Sequence, residues 1–243
     1  MTGRAQIALC VAFLAEGLYL DMQVGLAGQA AIGFACFALL SHLVMQAAPQ
    51  ERRALMACLV IATAGELILS LGWGLYTYRL DNVPLFVPPG HVMLYVLGLS
   101  LSRRMPEIAA EAIIALAGLY ALGAAAAGLD TLGVPLFLML AIASLAVPAQ
   151  RRLYASTFLL ALALELYGTW LGNWSWAREV PGTALVTTNP PLAAGAFYAA
   201  LDALVAASVA CLFRSKNCAS SVEPCSAVVE ALPAATTWVT ASK

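Results

Sequence analysis

GELILSLGWGLYTYRLDNVPLFVPPGHVMLY, residues 65–95, returns in outline as LELYGTWLGNWSWAREVPGTALVTTNPPLAAGAFY, residues 164–198. Each stretch carries a glutamate inside an apolar run (Glu66, Glu165), then a glycine (Gly74, Gly172) and an aromatic-x-aromatic (Tyr76 and Tyr78; Trp174 and Trp176). An arginine (Arg79, Arg178), a Val-Pro (Val83-Pro84, Val180-Pro181), a Pro-Pro (Pro88-Pro89, Pro190-Pro191) and a closing tyrosine (Tyr95, Tyr198) follow in the same order. Seven ordered coincidences point to a duplicated unit.

The surrounding composition says what kind of unit. Of 243 residues 62% are hydrophobic and 10% charged, against about 45–50% and about 25% in a soluble domain. Such a chain cannot cover its own surface with polar groups and reads as a polytopic membrane protein. Its net charge of −1 excludes a basic nucleic-acid binder, so no nucleic-acid partner is expected. Cys10, Cys36, Cys58 and Cys211 lie in apolar runs, where a thiol behaves as a small hydrophobe; no CxxC or Cys/His cluster calls for a metal. No P-loop or glycine-rich dinucleotide motif occurs either, and no cofactor is implied.

A membrane-crossing helix needs roughly 17–25 apolar residues. Scanning outward from the two quoted stretches gives eight such runs, near 5–22, 25–48, 54–77, 85–101, 107–127, 132–149, 153–174 and 191–213. Eight crossings put Arg4, Arg52, Arg53, Arg103, Arg104, Arg151, Arg152, Arg214, Lys216 and Lys243 on one side and only Arg79 and Arg178 on the other. That asymmetry predicts an inner-membrane protein with both termini cytoplasmic. Arg4 before an apolar stretch resembles the start of a signal peptide, but Glu16 interrupts the stretch and no cleavage site follows, so the first helix is expected to be retained. The fold class expected is an all-α transmembrane bundle of two parallel four-helix repeats, 1–104 and 105–214. Residues 215–243 read as a flexible cytoplasmic tail.

Charge inside the membrane marks the candidate site. Glu66, Glu165, Glu16 and Asp202 fall at similar depth in their spans, and each costs about 2.5–3.5 kcal/mol at a bilayer centre. With no intramembrane Lys or Arg to pair with, the four are expected to share one polar interior, where desolvation and mutual repulsion favour the neutral acid. Glu111, near a helix start, suits the helix dipole and headgroup water instead. The small residues Gly168 and Gly172 beside Glu165 would admit a neighbouring helix. The bland alternative is that the acids only lock the bundle through hydrogen bonds. His91, after Pro88-Pro89-Gly90, reads either as a proton shuttle beside a broken helix or as an interfacial residue; His42 reads as interfacial. Trp73, Tyr76, Tyr78, Trp170, Trp174 and Trp176 form either an interfacial aromatic belt or walls that stabilise a cation. Tyr95 and Tyr198 close the two stretches, and Asn82 and Asn189, just before the prolines, would cap the cavity.

Glu66/Gly74/Tyr76/Tyr78 and Glu165/Gly172/Trp174/Trp176, in two parallel multi-span halves, resemble the membrane carotenoid end-group family, which includes the heterodimeric-type lycopene cyclases and the carotenoid hydratases. The resemblance implies redox-neutral acid chemistry on a polyene end. The family's Pro-x-Glu-Glu/Asp element is replaced here by Pro-Pro-Gly-His and Asn-Pro-Pro. The leading expectation is thus an enzyme acting on an isoprenoid or carotenoid-like lipid, with Glu66, Glu165, Asp202 and His91 catalytic. The other two readings are a proton-coupled transporter and a non-catalytic membrane assembly protein.

Overall fold

The computed structural model describes residues 3–218 and contains eight α-helices and one two-stranded sheet. The helices are α1 (Gly3–Asp21), α2 (Leu26–Gln46), α3 (Pro49–Glu66), α4 (Val87–Ser102), α5 (Glu107–Ala126), α6 (Gly133–Ala146), α7 (Arg151–Leu171) and α8 (Gly195–Cys218). Each expected apolar run corresponds to one helix. The expected tail lies outside the described residues from 219 onward; residues 215–218 belong to α8.

Four helices are long and apolar enough to cross a membrane: α1, α2, α5, and α3 together with its extension to Gly72. A fifth candidate is the α6–α7 pair, which passes together but is bent by 112° at Val147–Gln150. Helices α4 and α8 are apolar but shorter. The outer surface agrees with a lipid setting: Phe34, Leu119, Leu145 and Trp170 are 69–77% exposed. A soluble monomer rarely exposes apolar side chains so continuously.

Local sequence explains the ends. Pro49 starts α3 without cost because a first-turn N–H has no helical acceptor, and Glu51 Oε2 accepts the Ala48 N–H at 3.0 Å. Arg52 caps the last turn of α2 through the Val44 and Ala47 carbonyls. Pro88 and Pro89 fall in the first turn of α4. The Pro-Pro-Gly run therefore begins a helix rather than breaking one, which corrects the broken-helix expectation for the same reason. Helix α7 ends at Gly172, whose φ of +92° suits glycine.

The all-α expectation needs one amendment. The runs 54–77 and 153–174 do not stay helical to their ends. Past Glu66 the chain widens into a π-helix, Leu67–Gly72, and after Gly74 enters β1 (Tyr76–Tyr78); past Gly172 it enters β2 (Trp174–Trp176). The strands pair antiparallel in the register Tyr76 with Trp176, Thr77 with Ser175 and Tyr78 with Trp174. Ala177 N–H to Leu75 O and Arg79 N–H to Asn173 O extend the ladder at both ends. Aromatic residues favour strands, and a paired ladder satisfies backbone groups that lipid could not. Around this sheet α3 packs on α4 and α8, and α7 on α4 and α8.

Candidate functional site

The alternation of the two strands puts Thr77 and Ser175 outward and the four aromatics inward, where Tyr76, Tyr78, Trp174 and Trp176 are buried. Their polar atoms converge on the two glutamates. The Tyr76 and Tyr78 hydroxyls donate to Glu66 Oε2 at 2.9 and 2.7 Å. The Trp174 and Trp176 indole N–H groups donate to Glu165 Oε2 at 2.8 and 3.0 Å. Each carboxyl is thus held by two neutral donors from the strand that follows its own helix.

The spacing differs by one residue. Glu66 precedes its aromatics by 10 and 12 positions, Glu165 by 9 and 11. The π-helix lies in the longer of the two connections, and a π-turn accommodates one additional residue within a helix. Both carboxyls consequently meet their donors in the same way. Side-chain volumes compensate too. Three residues after Glu165 stands Gly168, and a Cβ there would sit 2.0 Å from Trp174 Cη2; three after Glu66 stands Leu69, where the following strand carries the smaller tyrosines. Gly168 therefore makes room for an indole ring from its own chain, not for a neighbouring helix as the sequence implied.

Between the glutamates lies a cavity of about 320 Å³. Its walls are mainly aliphatic and aromatic, and its polar lining comes from Glu66, Glu165, His91, Tyr198 and the four strand aromatics. Neither Lys nor Arg lines it. Ile68 and Leu204 line it as well while being 63% and 55% exposed, so the cavity reaches the apolar flank of the molecule. The ring of His91 stacks on that of Tyr198, centroids 4.9 Å apart and planes within 6°. His91 Nδ1 lies 3.0 Å from the Val87 carbonyl and Nε2 3.4 Å from Glu66 Oε1. A carbonyl only accepts, so the proton belongs on Nδ1, and a neutral imidazole then turns the Nε2 lone pair toward Glu66. Tyr198 lines the same cavity as Glu165.

The structure separates the expected site residues into groups. Glu66, Glu165, His91, Tyr76, Tyr78, Trp174, Trp176 and Tyr198 share the cavity. Asp202 is 3% exposed but does not line it; it lies one turn along α8 with Thr157, and Tyr95 is its neighbour there. Glu16 is exposed, so the expected convergence of four acids reduces to two. Trp170 is 77% exposed, and Trp73 is 37% exposed with its indole N–H on the Pro181 carbonyl; these two fit the aromatic-belt reading. Asn82 donates to Gln29 Oε1 and Asn189 Oδ1 accepts the Trp176 backbone N–H, so both hold loops at the strand end of the cavity rather than lining it.

A polar layer above the sheet had no place in the sequence reading. Asp21, 1% exposed, accepts from Gln29 Nε2 at 2.8 Å and Asn173 Nδ2 at 2.9 Å, and Arg79 reaches both its side chain and its backbone carbonyl. Asp21 ends an apolar run without any motif around it, so only its pairing with Arg79 across 58 positions would have exposed it. Among the described residues no cluster of three or more His, Cys, Asp or Glu is suited to a metal ion.

Set against protein-family models, curated proteins and solved structures, the chain matches none.

Proposed function

We propose that this is an eight-span inner-membrane enzyme of two related halves, both termini cytoplasmic, which carries out redox-neutral acid chemistry, cyclisation or hydration, on an isoprenoid or carotenoid-like lipid. The observation that carries the reading is the pair of glutamates facing one apolar cavity, each fixed by two aromatic donors. Support for two halves comes from the equivalent roles of Tyr76/Tyr78 and Trp174/Trp176 and from a strand register centred on Thr77 and Ser175, as a two-fold axis between parallel repeats would require.

The chemistry follows from the placement. A ligand pocket typically spans about 300–1,000 Å³, so a cavity of about 320 Å³ receives one end of a long lipid while its tail remains at the flank near Ile68 and Leu204. Glu165, with Oε2 occupied by the two indoles, carries a proton on its other oxygen and delivers it to a terminal alkene. The π bond breaks, a C–H bond forms, and a carbocation appears among aromatic faces that attract it. Attack by a second alkene closes a ring. Loss of the adjacent proton to His91 Nε2 or Glu66 restores a double bond, so atoms and charge balance without an oxidant. Capture of the cation by water gives hydration instead.

Production of the full chain in a lycopene-making host tests this. A changed pigment profile that reverts in Glu66→Gln and Glu165→Gln is expected, since both variants retain hydrogen bonding but cannot supply a proton. An unchanged profile with the folded wild type removes the carotenoid reading. The transporter reading ranks lower because the cavity meets the apolar flank and no basic side chain lines it to grip an anion; substrate-dependent proton uptake in vesicles, lost in Glu165→Gln, would raise it.

A further inference from the structure

In the two halves proposed above, the helices around the cavity pack in matching order: α3 touches α4 and α8, and α7 touches α8 and α4. The outer helices break the match. Helix α5 packs along α7, whereas α1, its counterpart in the first half, packs on α4 and also reaches α7. There the Tyr167 hydroxyl donates to the Ala15 carbonyl at 3.2 Å. Helix α7 is thus covered by α5 and α1. Val60 of α3 and Ile68 in its π-helical extension, two turns apart, are instead 65% and 63% exposed.

The residues at equivalent places agree with this asymmetry. Counted from the glutamates, Gly65 corresponds to Leu164 and Ile68 to Tyr167. Gly65 and Leu164 both line the cavity. No other part of the described chain comes within 4 Å of a Cβ built on Gly65, so the first half leaves a gap where the second fills its wall with a leucine. Ile68 belongs at once to the cavity wall and to the outer surface. Tyr167 is absent from the wall and is tied to α1.

We propose that the gap over Gly65 and Ile68 is a sideways portal by which a linear isoprenoid hydrocarbon passes between the bilayer and the glutamates, and that Gly65 sets the thickness of chain admitted. This rests on the lipid-substrate reading above. A chain that entered through water would expose its apolar carbons at about 0.8 kcal/mol for each CH2. A route across the flank of α3 keeps it in apolar surroundings throughout, and the covered flank of α7 offers no second way in.

The test reads occupancy and needs no turnover. Full-length protein in lipid nanodiscs is loaded with geranylgeraniol carrying a diazirine at its hydrocarbon end and irradiated, and the labelled residues are located by mass spectrometry. The wild type is expected to carry label inside the cavity, at Met93 or Tyr198, and outside, at Leu119, which is 70% exposed on α5. Gly65→Trp, which fills the gap, is expected to lower the inside label about tenfold relative to the label at Leu119. Ile68→Trp is expected to lower it too, and decides the matter should Gly65→Trp not fold. Leu116→Trp, which adds an indole to the exposed face of α5, is expected to leave the ratio unchanged. A wild-type ratio in Gly65→Trp, or in Ile68→Trp where it decides, overturns the proposal. So does a wild type labelled only outside, or an equal loss in Leu116→Trp. Unchanged pigment in the lycopene-making host together with Gly65-dependent label removes the carotenoid chemistry and keeps the portal. Pigment conversion together with inside label that Gly65→Trp leaves intact removes the portal alone.

Discussion

Replacing Gly168 with alanine adds one methyl group at the place where the site is most tightly made. The new Cβ would lie 2.0 Å from Trp174 Cη2 and 2.4 Å from Cζ2 and Cζ3, whereas carbon atoms in contact stay about 3.5–4.0 Å apart. The ring must retreat by roughly 1.5 Å or more. Its indole N–H is 2.8 Å from Glu165 Oε2, so the retreat takes it beyond hydrogen-bonding range. A hydrogen bond between neutral groups, here an indole N–H and a protonated carboxyl, contributes about 0.5–1.5 kcal/mol, and overpacking costs typically another 1–3 kcal/mol. Alanine returns about 1 kcal/mol as the better helix former. The expected net loss is about 0.5–3.5 kcal/mol, with Trp174 displaced. The assay is chemical denaturation of the detergent-purified protein alongside near-ultraviolet circular dichroism of the tryptophans. Gly65→Ala, beside Glu66 with nothing within 4 Å of its Cβ, is the matched control and should be neutral or stabilising by up to about 1 kcal/mol. A Gly168→Ala protein with wild-type stability and tryptophan signal, or a Gly65→Ala protein equally damaged, would refute the idea that the indole seated on Gly168 holds Glu165.

Asp21→Ala leaves Arg79, Gln29 and Asn173 without their shared acceptor; a loss of about 3–5 kcal/mol is expected on breaking such a buried set, read by denaturation, with Asp21→Asn milder. Gly195→Ala sets a methyl 2.5 Å from the Phe158 backbone carbonyl, which cannot swing aside as a side chain would, so α7 and α8 should separate at that point and the folded yield should fall well below that of Gly65→Ala. Asp130, in the loop between α5 and α6, has its carboxyl pushed up by burial, with the Gly133 N–H pulling the other way. Its folded value therefore exceeds its unfolded one, and the stability it contributes is complete below the unfolded value and lost as pH rises through the folded one. Asp130→Asn, which still accepts from Gly133, should flatten that fall; identical pH profiles for variant and wild type would count against it.

The helices were legible because lipid and core both select apolar runs, and turns between them collect Arg, Pro and Gly; each of the eight runs has its helix. Glu66, Glu165 and their four aromatics were legible because they recur in order. The sheet was not, since three-residue strands such as Tyr76–Tyr78 are too short to show a period of two against a helical background. Depth along a helix says nothing of which neighbour a side chain faces, so Asp202 was grouped with acids that line a cavity it does not line. Glu16 was misgrouped for the same reason: an acid can share the depth of others and still point outward. The polar layer at Asp21 joins residues scattered from 18 to 173, and no local pattern encodes such a meeting.

The strand pair has a bearing on how such a molecule could have arisen. A chain ending at residue 104 would display β1 with its amide groups unanswered, a bare edge open to a further strand. The observed register is centred on Thr77 opposite Ser175, so a second copy of Tyr76–Tyr78 can dock there in the same alignment that Trp174–Trp176 adopts, first residue against third. The segment that carries β1 thus offers a template that a like segment can join. A single gene copied end to end would have inherited a ready-made seam, with the freedom afterwards to make one carboxyl's cradle from phenols and the other's from indoles.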